Sequence, residues 1–126
     1  MMLCLDASGR TVALAIEAFT LIWSHSVEKT EWREDWRVGE KGLSIVQASV
    51  EGTGAGMEIP EGARREGNAW VYVPDMAPLE EVRFADAGLG SDWTICWNEQ
   101  CHRMNSVIPT KGSGLVMRAC TAAEGD

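Results

Sequence analysis

Apolar and polar residues alternate with a period of two in short runs along most of the chain, whereas apolar positions spaced three and four apart are scarce. Strands buried on one face produce the first pattern and amphipathic helices the second. The runs predict strands at residues 3–6, 10–14, 19–27, 31–38, 43–51, 69–73, 80–85, 93–97, 101–105 and 114–119. Turn chemistry separates them: Ala-Ser-Gly at 7–9, Gly-Glu-Lys-Gly at 39–42, Glu-Gly-Asn at 66–68 and Asn-Glu-Gln at 98–100 all suit hairpin loops. Short strands at this spacing predict an all-β fold, a single-domain antiparallel β-sandwich or flattened barrel of about eight to ten strands. The domain is expected over residues 1–120, with the polar residues 121–126 as a flexible C-terminal tail. A helix over 12–19 is the main rival, because Ala and Leu favour helices.

Strand register is legible through the centre of the chain. If residues 27–30 form a four-residue loop, antiparallel pairing sets His25 opposite Trp32, Trp23 opposite Glu34, Leu21 opposite Trp36 and Phe19 opposite Val38. A second hairpin through Gly39 and Gly42 then pairs Val38 with Leu43, Trp36 with Ile45, Glu34 with Gln47 and Trp32 with Ser49. These residues share one face that is apolar at one end. At the other end His25, Glu34, Gln47 and Ser49 gather beside Trp23 and Trp32. The opposite face carries Arg33, Asp35 and Arg37 across from Ser24, Ile22 and Thr20, an alternation of charge that suits a solvated surface.

A histidine and a glutamate on a core-like face are costly unless they hydrogen-bond each other or line a wet pocket. The plainer expectation is a structural pair of diagonal neighbours, His25 and Glu34. The functional one is a Trp-walled ligand or partner site anchored by His25 and Glu34, with Gln47, Ser49, Trp23 and Trp32 around them. No catalytic residue is assigned: Ser24 and Ser26 point away from the His25 face, and a His-Glu pair without a nucleophile is half a mechanism. The glycine-dense residues 52–62 leave the strand carrying Gln47 and Ser49, so the loop with Gly54 and Gly56 is expected to lid the same end. It is not a phosphate loop, since Gly-Lys-Ser/Thr is missing and Pro60 with its flanking acids opposes both a helix and an anion.

Composition narrows the partners. The 126 residues include 11 basic and 19 acidic ones, giving a net charge of −8 and a pI near 4.7. Such a charge repels phosphate backbones and anionic headgroups, so neither nucleic acid nor a membrane surface is an expected partner. The longest mostly apolar stretch, 11–23, is interrupted by Glu17 and Thr20 and is too short for a membrane span, so no direct insertion is expected. Met1-Met2-Leu3-Cys4-Leu5-Asp6 lacks the basic start of a signal peptide, which points to the cytoplasm.

Four cysteines pull the other way. Cys96 and Cys101 bracket four residues and would stand opposite each other in a hairpin, and Cys4 would meet Cys120 if the terminal strands pair. Two such bridges would indicate an oxidising compartment, the periplasm if a signal segment has been trimmed. Disulfides or free thiols rank above a metal site of Cys96, Cys101 and His102, whose spacing is not that of a zinc knuckle and whose adjacent members point to opposite faces. No metal or cofactor is expected.

An ordered set of segments carries a resemblance: His25-Ser26-Val27-Glu28-Lys29-Thr30, Glu34-Asp35-Trp36-Arg37, Gly54-Ala55-Gly56-Met57-Glu58-Ile59-Pro60-Glu61-Gly62, and Thr94-Ile95-Cys96 through Cys101. From about Leu3 to Cys120 the chain resembles the domain of unknown function numbered 1850, small bacterial proteins encoded beside TRAP-type tripartite transporters of the TAXI class. The resemblance implies an association with solute uptake and brings no activity, cofactor or catalytic residue with it. Many members carry an N-terminal membrane or signal segment, which implies a place outside the cytoplasm; residues 1–6 show no such pattern. The expected function is thus a non-enzymatic accessory protein of a TRAP-type system, binding a transporter component or the small-molecule solute. Two alternatives stay open: a small hydrolase or isomerase using His25 and Glu34, and a structural domain that homodimerises through Trp70, Trp93 or Trp97.

Overall fold

The computed structural model describes residues 1–25, 30–51, 62–84, 93–110 and 113–121. In chain order the strands are β1 (Met2–Ala7), β2 (Arg10–Leu14), β3 (Ala18–His25), β4 (Thr30–Gly39), β5 (Gly42–Glu51), β6 (Arg64–Glu66), β7 (Ala69–Tyr72), β8 (Glu81–Phe84), β9 (Trp93–Trp97), β10 (Gln100–Arg103) and β11 (Leu115–Cys120). A single helical turn, α1 (Met104–Val107), follows β10. All pairings are antiparallel, and they build a four-stranded sheet ordered β2-β1-β11-β8 and a seven-stranded sheet ordered β10-β9-β3-β4-β5-β7-β6. The two sheets pack face to face as an all-β sandwich and do not close into a barrel. Among the described residues no helix is long and apolar enough to cross a membrane.

Alternation explains the core. In the small sheet Leu3 and Leu5 of β1 stand opposite Ala119 and Met117 of β11, and in the large sheet Phe19, Leu21, Trp36, Val38, Leu43 and Ile95 project toward them. Met104 of α1 and Ile108 just beyond it join the same cluster. Each such side chain taken out of water stabilises the fold by about 1.5–3 kcal/mol. Phe19 lies parallel to Trp36, at 3° and 6.1 Å between ring centroids, so the middle of the sandwich is aromatic as well as aliphatic. The chain crosses from the large sheet to the small one past Gly42, where Leu43 and Leu79 exchange backbone hydrogen bonds of 2.7 and 2.8 Å. Gly42 has φ +121°, and a Cβ there would lie 2.2 Å from the Leu79 carbonyl oxygen, so only glycine fits the crossing.

Four sequence expectations are corrected. The rival helix over 12–19 does not form, because this stretch belongs to β2, a short link and β3. The strand expected over 101–105 ends at Arg103; Met104 and Asn105 turn into α1, which buries Met104 in the core. β6 is an additional strand, short and exposed, whose Arg-Arg-Glu carries no alternation to reveal it.

The fourth correction concerns register. His25 pairs with Thr30, Trp23 with Trp32, Leu21 with Glu34 and Phe19 with Trp36, two residues from the expected pairing. A two-residue slide keeps every side chain on its face, and it sets aromatic against aromatic and Thr20 against Asp35, whose hydroxyl–carboxylate hydrogen bond is 2.7 Å. By the same slide Arg33 and Arg37 stand opposite Ile22 and Ala18.

Candidate binding face

The large sheet extends its core-facing side beyond the sandwich. Trp23, Trp32, Ala48, Val50, Trp70 and Tyr72 share a face with Leu21 and Trp36 but lie outside the core cluster. Pairing sets Trp93, Trp23, Trp32, Val50 and Trp70 directly opposite one another across β9, β3, β4, β5 and β7. At about 4.8 Å between strands this row is about 19 Å long. Trp23 lies 6.1 Å from Trp93, nearly parallel at 16°, and 6.1 Å from Trp32 at 53°. Phe84 of β8 reaches across from the small sheet to Trp93, at 5.3 Å. With Trp36 and Trp97 added, all six tryptophans of the chain project from this one face.

The neighbouring row reads Ile95, Leu21, Glu34, Ala48 and Tyr72. Glu34 is the one acid in it, half-buried between apolar neighbours, and it accepts a 3.3 Å hydrogen bond from Trp36 Nε1. Burial pushes its pKa above the ordinary glutamate value, against the opposing pull of that indole N–H. The Tyr72 phenol is also pushed up, first by burial and then by the negative charge of Glu34. At the end of the tryptophan row Arg65 of β6 stands opposite Trp70 and holds its guanidinium 5.3 Å above the ring. The indole N–H groups of Trp70 and Trp93 are buried and have no acceptor among the described residues. A buried donor left unmade costs about 1–3 kcal/mol.

The structure brings together three of the residues expected at this end, Trp23, Trp32 and Glu34, and removes two. Gln47 and Ser49 stand opposite Asp35 and Arg33 and so face the other side of the sheet. The cause is a β-bulge: Trp36 pairs with Ile45 but Asp35 pairs with Gln47, which leaves Val46 as the extra residue. The bulge exchanges two polar residues for Ala48 and Val50, both 4% exposed, on the inner face. Gln47 instead accepts a 3.3 Å hydrogen bond from Arg64. His25 ends β3 opposite Thr30, four residues along β4 from Glu34, so the two are not the diagonal neighbours that a His25–Glu34 pair requires. Gly54 and Gly56, with the expected lid, lie outside the described residues.

A groove of about 460 Å³ lies on the reverse side of the sheet, between Thr20, Ile22, Asp35, Arg37, Val46 and Cys96. Its central acid is already satisfied, since Asp35 accepts from Thr20 and lies 3.5 Å from Arg33. It therefore makes a weaker site than the tryptophan row, despite its volume. Both sequence-derived cysteine pairings are disulfides. Cys4–Cys120 joins β1 to β11 with both residues at 0% exposure, and Cys96–Cys101 joins directly opposed positions of β9 and β10. His102 stands opposite Ile95 and stacks on Trp97 at 4.6 Å, on the face opposite the Cys96–Cys101 bridge. Among the described residues no group of three His, Cys, Asp or Glu is placed to hold a metal.

Trp70, Trp93, Tyr72 and Arg65 are additions to the ligand site that the sequence pattern outlines. Alternation in Ala-Trp-Val-Tyr and in Trp-Thr-Ile-Cys-Trp announces a tryptophan-bearing face in each strand, but not which strands become neighbours. A family model described as Domain of unknown function (DUF1850) matches residues 19–104, more than half of the chain, and takes in the whole tryptophan row and Glu34. Searches of curated proteins and of solved structures return no match.

Proposed function

The chain belongs to the family of the domain of unknown function DUF1850, and we propose that it is a non-enzymatic binding module serving a TRAP-type solute transport system of the TAXI class. One observation carries the binding reading: a row of four indoles with one half-buried carboxylate beside it and two buried indole donors without acceptors among the described residues. Aromatic walls with a few polar groups are the common build of small-molecule sites. The solute is the favoured occupant over a transporter subunit, because isolated buried polar groups suit a small ligand better than a broad protein interface. The transport setting is supported by the resemblance of residues 25–30, 34–37 and 54–62 to that family. Two disulfides support a periplasmic location, where such bridges persist.

The test pairs the purified chain with a TRAP-type transporter of the TAXI class from the same genome. Titration with that transporter's solute should change tryptophan emission saturably, and Trp32→Ala should abolish the change while the protein stays folded by circular dichroism. Co-elution with the purified transporter subunits in size-exclusion chromatography, lost in the same variant, would move the reading from solute to subunit. Neither response at high concentration would contradict the proposal.

A further inference from the structure

We infer that the tryptophan-lined face takes a small organic cation, its ammonium group seated on the indole faces beside the Glu34 carboxylate. The inference rests on the binding reading above and specifies its ligand class. Indole faces carry the negative side of the ring quadrupole, and Trp23, Trp32 and Trp93 present three of them at successive spacings of 6.1 Å. Trp70, in the same row, already holds a cation, the Arg65 guanidinium at 5.3 Å.

The carboxylate supplies the second part of the argument. Glu34 makes no ion pair among the described residues, and its hydrogen-bond partner there is one indole N–H at 3.3 Å. A half-buried carboxylate next to electron-rich rings is complementary to a positive group and repels a negative one. The net charge of −8 biases encounter in the same direction.

Choline is the probe, with 3,3-dimethylbutan-1-ol as its uncharged isostere and isovalerate as an anion of similar bulk, each followed by intrinsic tryptophan fluorescence. Choline should bind about tenfold more tightly than the alcohol, as expected for a cation on partly desolvated aromatic faces. Glu34→Gln should remove most of that preference while leaving the alcohol's affinity in place. If Glu34→Gln does not fold, Trp32→Leu serves the same purpose, keeping apolar area but deleting one ring face, and should lower choline binding more than alcohol binding. Equal affinity for choline and the alcohol, or tightest binding of isovalerate, overturns the cation assignment and leaves the binding face intact. Silence toward all three probes also overturns it, and the binding reading is then decided by titration with the transporter's own solute.

Discussion

Trp23 stands directly opposite Trp32 across β3 and β4 and directly opposite Trp93 across β3 and β9, with both ring contacts at 6.1 Å. Trp23 is therefore the hub of the row and Trp32 one of its arms. Among the described residues Trp23→Ala removes two aromatic contacts and Trp32→Ala removes one, and each pair contributes about 0.5–1.5 kcal/mol beyond the area buried. Urea denaturation should find Trp23→Ala the less stable variant by about 1 kcal/mol. Equal losses would contradict the hub arrangement.

Two acids give the fold opposite pH dependences. Burial raises the Glu34 pKa, so the unfolded chain ionises first as pH rises from the ordinary glutamate value toward the folded one, and stability falls across that window. Glu34→Gln should then be more stable than wild type at neutral pH, with the gap closing as pH drops below the ordinary value. Asp6 behaves the other way. Burial would raise it, but hydrogen bonds from Arg118 and Thr11 and the Arg118 charge hold it below its ordinary value. Its contribution is present above the ordinary aspartate pKa and disappears as pH falls through the folded one. Chemical denaturation of wild type, Glu34→Gln and Asp6→Asn from pH 3 to 8 checks both signs; an Asp6→Asn variant whose deficit grows toward low pH would contradict the second.

How far the fold and the site are legible in the sequence depends on what kind of information each residue carries. Period-two alternation shows which residues share a face, and it correctly groups Phe19, Leu21, Trp36 and Val38. It does not distinguish a register from one slid by two, and the choice falls to pairings such as Trp23 with Trp32 and Thr20 with Asp35. The bulge at Val46 is less visible still. Ile45-Val46 breaks alternation by a single step, and that step decides whether Gln47 and Ser49 or Ala48 and Val50 meet Glu34 and Trp32. Apolar burial decides it. The half of the site supplied by β7 and β9 depends on strand neighbours far apart in sequence, which local pattern does not encode.

The two disulfides should differ in accessibility. Cys4 and Cys120 are both 0% exposed, whereas Cys101 lies exposed on the edge strand β10. Mild thiol reductant under native conditions, followed by alkylation and mass spectrometry, should label Cys96 and Cys101 well before Cys4 and Cys120. Replacing both Cys4 and Cys120 by Ala should cost about 2–5 kcal/mol, because that bridge closes a loop of 116 residues. Simultaneous labelling of all four would contradict the burial of the terminal bridge.

Among the described glycines Gly42 is the most tightly confined. Alanine there would place its Cβ 2.2 Å from the Leu79 carbonyl oxygen and take up φ +121°. Gly42→Ala should destabilise by at least about 2 kcal/mol. Hydrogen exchange should quicken at the amides of Leu43 and Leu79, whose mutual hydrogen bonds the added methyl pries apart. An unchanged melting temperature would show that the crossing is looser than described.

The most direct test uses the six indole N–H signals of a 15N-labelled sample. On titration with choline, the signals of Trp23, Trp32 and Trp93, and that of Trp36, whose N–H donates to Glu34, should shift saturably and together, while that of Trp97, stacked on His102 outside the row, holds its position. Shifts confined to Trp97, or no saturable shift at any indole, would contradict a ligand site on the tryptophan row.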